Sequence, residues 1–246
     1  MRRTTIWRTV FVAPIICALA GGVVGCDRRV EGAAVAAEIA NHTAVTTTTS
    51  QPPPALPAAV LEGLLLSADQ LIALVGGTNM AMVGTAVSAS DASKMIDDRT
   101  CLGLASVGDV TVYSNSGYVA MRGNQFSSPN AVQADITQLV TSFTGAADAE
   151  ALLQRARQDW QACASRRYGF HSSNGNQSYF DTHDLRGGGS RIELSMRQEE
   201  DARWGCSHAM AVGNNVVAEA RVCLLGKDNA PVVNNLLDQI VAKVPQ

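Results

Sequence analysis

Apolar side chains in residues 148–164 recur at steps of three and four: Ala149, Leu152, Leu153, Ala156, Trp160 and Cys163. That period puts all six on one face of an α-helix and turns Trp160 and Cys163 toward a core. A second stripe, Val233, Leu236, Leu237, Ile240, Val241 and Val244, follows Asn229-Ala230-Pro231, where proline suits a first helical turn. A shorter helix is expected after Ser67-Ala68-Asp69-Gln70, which has the spacing of a capping box with Ser67 as N-cap. Leu71, Ile72, Leu74 and Val75 follow, and Gly76-Gly77 ends it.

Strand patterns fill much of the rest. Residues 80–90 and 136–143 read as strands, and Ile192, Leu194 and Met196 alternate within 191–198. Two short runs, 109–114 and 118–123, flank Asn115-Ser116-Gly117 and predict a hairpin. Residues 165–190 are the least regular part, with loop signals at Asn174-Gly175-Asn176 and Gly187-Gly188-Gly189. No internal repeat is present. Order begins near Ala58.

A last hairpin carries geometric information. If Asn214-Asn215 is a two-residue turn with both residues at positive φ, then 213 faces 216, 212 faces 217 and Cys206 faces Cys223. Counting outward puts that pair on a non-hydrogen-bonded site, where Cα atoms approach to about 4.5 Å, near the lower end of the disulfide range. A bulge would spoil the register. Cys101 and Cys163 are then left to pair, tying the long helix to the sheet. Zinc sites favour close pairs of the C-x₂₋₄-C kind, which these four cysteines lack.

The other two cysteines belong to the N-terminus. Arg2, Arg3 and Arg8 precede an apolar run over residues 10–19, and Val23-Val24-Gly25 leads to Cys26. This is the layout of an export signal, residues 1–25, with Cys26 as the acceptor for a diacylglyceryl anchor and Cys17 discarded. A spanning helix needs about 20 apolar residues, whereas this run contains Pro14 and ends in Gly21-Gly22. An ordinary cleaved signal has no use for the cysteine. The two acyl chains of a diacylglyceryl group suffice to hold a protein on a membrane. Residues 26–57 then read as a tether: Thr46-Thr47-Thr48-Thr49-Ser50 offers nothing to bury, and Pro52-Pro53-Pro54 favours extended polyproline II. Clustered Thr beside Pro also fits O-glycosylation, and an unmodified linker fits equally. The expected location is the cell envelope, lipid-anchored and outside the cytoplasm.

Charge narrows the partners. Without Arg2, Arg3 and Arg8, the chain's 19 basic residues fall to 16 against 22 acidic ones, a net charge of −6. A nucleic-acid partner would require a basic face. The globular part, roughly 190 residues, suits one domain with a substantial core. Catalytic patterns are sparse. No G-x-S-x-G, H-E-x-x-H or P-loop motif occurs. Asp181-Thr182-His183-Asp184 is a candidate metal or acid/base group, but three polar residues in an irregular loop are usually just solvated. His208 lies within the last hairpin and reads as a hydrogen-bonded core or sheet histidine. No enzyme, metal or cofactor is expected. Tyr113, Tyr118, Arg122 and Gln125, on or after the predicted hairpin, and Trp204, opening the last one, are candidates to line a ligand cleft. Ordinary core and sheet surface is the competing reading.

From about Ser67 to Pro245 the chain resembles the extracellular sensor domain of mycobacterial PknH-type Ser/Thr kinases and PknH-like lipoproteins. The matching stretches include Ser67-Ala68-Asp69-Gln70-Leu71, Cys101-Leu102-Gly103, Val112-Tyr113, Ser116-Gly117-Tyr118 and Met121-Arg122-Gly123. They continue with Phe143-Thr144-Gly145, Trp160-Gln161-Ala162-Cys163, Trp204-Gly205-Cys206 and Val212-Gly213-Asn214-Asn215. The resemblance implies a single α+β domain over residues 58–246, with a twisted, mostly antiparallel sheet, flanking helices, a cleft and two disulfides. It also implies first-to-second and third-to-fourth cysteine pairing. The role implied is binding of an unidentified extracytoplasmic ligand, whether small molecule, glycan or lipid, or of a protein partner. A structural or accessory role through a protein partner alone is the alternative. The chain carries no kinase segment, and residues 166–189 depart from the family pattern.

Overall fold

The structure is a computed structural model, and it describes residues 56–77, 79–128, 134–172 and 175–245. Cys26, the predicted signal and the tether as far as residue 55 lie outside the described residues. The framework is one eight-stranded antiparallel sheet: β1 Ala81–Ala86, β2 Ala120–Ser128, β3 Ala134–Ser142, β4 Arg167–His171, β5 Gln177–Thr182, β6 Arg191–Gln198, β7 Trp204–Gly213 and β8 Val216–Leu225. Spatial order is β1-β2-β3-β8-β7-β6-β5-β4. The central strands β3, β8 and β7 are buried on both faces along most of their length, so the polar residues they carry are enclosed within the fold.

Alternation along each strand divides the core in two. Ile136, Val140, Ala218, Ala220 and Val222 face one side, covered by α1 Ala58–Leu64, α2 Ala68–Val75 and α6 Ala230–Val241. Leu139, Val217, Met210, Leu194 and Met196 face the other, with α3 Leu102–Ala105, α4 Val110–Tyr113 and α5 Ala146–Cys163. The α5 stripe is buried as its period requires: Ala149, Leu152, Leu153, Ala156, Trp160 and Cys163 all face the core. The α2 capping box forms in both directions, Ser67 Oγ accepting from Gln70 N and Gln70 Oε1 accepting from Ser67 N. Gly76 closes that helix at φ 67°, a left-handed position that glycine takes without penalty.

By length and composition, Ala58–Val75 is apolar enough to cross a membrane. In the fold it is broken into α1 and α2, and the break is tied to the sheet. Leu66 N–H donates to Gln138 Oε1 and Leu66 C=O accepts from Gln138 Nε2, with all these groups buried. Leu61, Leu64, Leu66, Leu71 and Val75 are core residues.

Both disulfides pair as expected. Cys206 faces Cys223 in the β7–β8 register, with Cα atoms 3.9 Å apart, and Cys101 is joined to Cys163, 5.0 Å between Cα atoms. The turn differs from the expectation in one respect. Only Asn214 has positive φ, at 50°. Asn215 is buried instead; its side chain donates to Phe143 O and its carbonyl accepts from Phe143 N, pinning the hairpin tip to the end of β3.

Two regions depart from the sequence reading. Residues 109–123 form no hairpin: Asp109 caps a helical turn, its Oδ1 accepting from Thr111 N, and the chain is extended only from Ala120. Capping outweighs the strand preference of Val110, Thr111, Val112 and Tyr113, because Asp109 is buried and also accepts from Ala92 N. Residues 165–190, expected to be irregular, contain the β4–β5 hairpin. Its alternation is hidden by Gly169, where any Cβ would collide with the Asp97 carboxylate.

Candidate functional site

The face that carries both disulfides also carries a polar row. In register, Gln125 of β2 faces Thr137 of β3, Thr137 faces Arg221 of β8, and Arg221 faces His208 of β7. Asp135 and Cys223 form the neighbouring pair. Each side chain is placed here by strand alternation, so polar groups stand where the rest of the face is apolar.

Two cavities meet along this row. One, of about 400 Å³, lies over β1–β3 and is bounded by Met95, Ile96 and Leu139. The other, of about 240 Å³, is lined by Tyr168, Phe180, Met196, Trp204 and the Cys206–Cys223 disulfide. Ala105, Gln125, Phe170 and Arg221 belong to both, making them one cleft with Arg221 at its waist. A strap of chain bridges the cleft to β4: Asp97 Oδ1 accepts from Gly169 N at 2.6 Å, Asp97 N donates to Gly169 O, and His171 N donates to Met95 O.

At the waist, Arg221 Nη1 donates to Ala105 O at 2.5 Å, and Nη2 lies 3.8 Å from Asp135 Oδ1. Asp135 Oδ2 accepts from Gln125 Nε2 at 2.8 Å. Arg221 Nε and Asp135 Oδ1 are buried and have no hydrogen-bond partner among the described residues. Unpaired buried polar atoms carry a desolvation cost that a bound group can relieve. On the wall, Tyr168 and Phe180 stack at 5.6 Å and 15°. Burial pushes the Tyr168 phenol well above its ordinary range, with the Arg221 charge opposing.

Next to the cleft lies a buried network. His208 Nε2 meets Glu219 Oε1 at 2.8 Å, His208 Nδ1 meets Leu104 O at 2.6 Å, and the Glu219 carboxylate also accepts from Tyr113 Oη and Gly108 N. His208 is thus a hydrogen-bonded core histidine, packed against Trp160 at 4.4 Å between ring centroids.

The structure brings together some of the expected ligand residues and separates others. Gln125 and Trp204 line the cleft. Tyr113 is inside the core, and Tyr118 meets it edge-on at 6.1 Å over a separate shallow depression. Arg122 has the parity of Ala120 and Phe126, which pack on the α1/α6 side, so it stands on the opposite face from Gln125. Arg221, Asp135, Phe170 and Tyr168 went unmarked in the sequence. The hairpin count held the signal for Arg221: it puts that residue on the same face as Cys223 and Val217, a charge amid buried positions. Asp181, His183 and Asp184 are exposed, Asp184 accepting from Ser165 Oγ and His183 N donating to Ser195 O. Among the described residues no group of three His, Cys, Asp or Glu is arranged to hold a metal.

An antiparallel sheet with helices on both faces, two disulfides and a lined cleft define an α+β domain with an open groove on one face of its sheet. Residues 56–243 match the family of PknH-like extracellular domains, and the chain belongs to that family. The serine/threonine-protein kinases PknH of Mycobacterium bovis and Mycobacterium tuberculosis are 28% identical to it over 196 residues. That match takes in 78% of this chain and only 31% and 30% of theirs, so the chain spans under a third of the length of these relatives. The crystal structure of the extracellular domain of PknH from Mycobacterium tuberculosis is similar, with a TM-score of 0.70 and 25% identity, over 78% of this chain and 97% of that one. The matched region is an extracellular domain of a kinase and not its catalytic domain.

Proposed function

We propose that this protein is a cell-envelope lipoprotein whose sensor-type domain binds an extracytoplasmic ligand in the Arg221 cleft and catalyses no reaction. The observation that carries the reading is that Arg221 Nε and Asp135 Oδ1, at the junction of two lined cavities, have no hydrogen-bond partner among the described residues. Cys26 anchors the chain through a diacylglyceryl group, and residues 26–57 hold the domain clear of the membrane. Screening the full-length chain against envelope lipids, glycans and small molecules by thermal shift tests the binding role. Absence of any shift or co-purifying compound across a broad panel sinks it. The anchor has its own test: Cys26→Ser abolishes fatty-acid labelling and moves the chain out of the membrane fraction.

A protein partner is the second reading, and one observation favours it. Edge strand β1 and the residues after it expose Met82, Val83 and Val87 at 56%, 59% and 64%. Exposed apolar edges pair readily with other chains. Crosslinking in the intact envelope recovers one dominant partner through this edge on that reading, and none on the first.

A further inference from the structure

The charges in the cleft balance. Arg221 and Asp135 are the only charged residues that line either cavity among the described residues, and each side chain is about a quarter exposed, 23% and 24%. A free anion seated against Arg221 meets the Asp135 carboxylate 3.8 Å away, and a cation at Asp135 meets the guanidinium. Both formal charges of a ligand are therefore disfavoured at the waist. A hydrocarbon chain is disfavoured for another reason, since it would cover a guanidinium and a carboxylate with groups that make no hydrogen bonds.

What the pair does fit is a group that donates and accepts at one atom. Arg221 carries N–H donors, with Nε unused, and Asp135 Oδ1, 3.8 Å from Arg221 Nη2, accepts no hydrogen bond among the described residues; both residues line the cleft. A hydroxyl oxygen can sit within hydrogen-bond reach of both, accepting from one and donating to the other. A peptide group cannot do this at one point, because its N–H and C=O point in opposite directions. Thr137 and Gln125 continue the polar row, and the aromatic residues Phe170 and Trp204 also line the cleft. Aromatic faces carry partial negative charge and attract C–H groups. Alternating hydroxyls along one edge and C–H groups over one face describe a sugar.

We infer that the cleft takes a neutral saccharide or polyol, its hydroxyls bridging Arg221 and Asp135 and its ring lying on Phe170 or Trp204. This rests on the proposal that the cleft is the ligand site, and names the ligand's class. The full-length chain is titrated with methyl hexosides, methyl pentosides and their disaccharides, with Trp204 emission and calorimetry as readouts. Inorganic phosphate, tetra-alanine and phosphatidylglycerol vesicles are parallel arms. The expected result is saturable binding of at least one neutral saccharide that phosphate does not displace. Asp135→Asn, which exchanges a charged acceptor for a neutral one, and Gln125→Leu, which removes a neutral amide and its support of Asp135 Oδ2, each weaken it by about tenfold. Phe170→Leu weakens it too, and Glu62→Gln on the far face leaves it unchanged. Melting temperatures verify that each variant folds, and Gln125→Leu carries the test alone if Asp135→Asn does not. Binding of phosphate, peptide or vesicles that depends on Asp135 and Gln125, with no saccharide bound, overturns the saccharide assignment and keeps the cleft. If no probe binds, or binding is indifferent to all cleft variants, the cleft reading itself falls.

Discussion

Glu219 is the residue on which the buried polar chemistry converges. It is 1% exposed, and it accepts from Tyr113 Oη, from Gly108 N and, through a shared proton, pairs with His208 Nε2. His208 Nδ1 faces the Leu104 carbonyl, an acceptor only, so that nitrogen must carry a proton. Removing the carboxylate strands three donors in the core. Glu219→Ala is therefore expected to cost about 3–5 kcal/mol, the penalty for breaking a buried pair, read as a fall in the urea midpoint. The same site sets an alkaline limit. Burial first, and then the Glu219 charge and hydrogen bond, push the Tyr113 phenol well above its usual value. Because the folded value is raised, the folded state holds the proton more tightly. That stabilisation is complete below about pH 10, the usual phenol value, and declines as pH rises beyond it. Stability measured from pH 8 to 11.5 should fall in the upper part of that window, and Tyr113→Phe should flatten the fall. A slope unchanged in the variant would refute the assignment.

At the scale of elements, the β7–β8 hairpin was legible because its periodicity and its turn agree. Two central residues fix the register, and the register alone juxtaposes Cys206 with Cys223. The helix α5 was legible for the same reason, with one period sustained over 18 residues. The segment 110–113 was misread because its β-branched residues prefer strands, while a buried Asp109 makes the capping bonds that decide the matter. The β4–β5 hairpin escaped notice because Gly169 breaks its pattern to admit Asp97, a partner 72 positions away. Long-range contacts of that kind leave no local trace. The two disulfides give a ranked expectation at this scale. Cross-link entropy rises with loop length, so loss of Cys101–Cys163, which spans 62 residues, should cost about 4 kcal/mol and loss of Cys206–Cys223, which spans 17, about 3. Paired Cys→Ala variants compared by chemical denaturation check both the size and the order.

For the whole molecule, the cleft shows how a site can be half visible. Gln125 and Trp204 were marked by residue type near turns. Arg221 and Asp135 become recognisable only when strands from distant parts of the chain are set side by side, all eight of which contribute lining residues to the cleft. The same reasoning bears on where the folded unit begins. The sequence resemblance starts near Ser67, whereas the family match starts at residue 56. The structure gives the difference a physical meaning: Leu61, Leu64, Leu65 and Leu66 are all buried, and the Leu66 backbone satisfies both polar ends of the buried Gln138 amide. Burying a leucine contributes about 1.5–3 kcal/mol, so deleting all four removes a sum comparable to the usual 5–15 kcal/mol of net stability. It also orphans the Gln138 side chain inside the sheet. A chain beginning at residue 56 keeps these contacts, together with the bond from Ser142 Oγ to Leu56 O. It should melt cooperatively at the temperature of the full-length protein. One beginning at Ala68 should show no cooperative transition, with amide signals collapsed and dye binding to exposed core. If the shorter chain melts like the longer one, α1 is a passenger on the sheet and the tether extends past it.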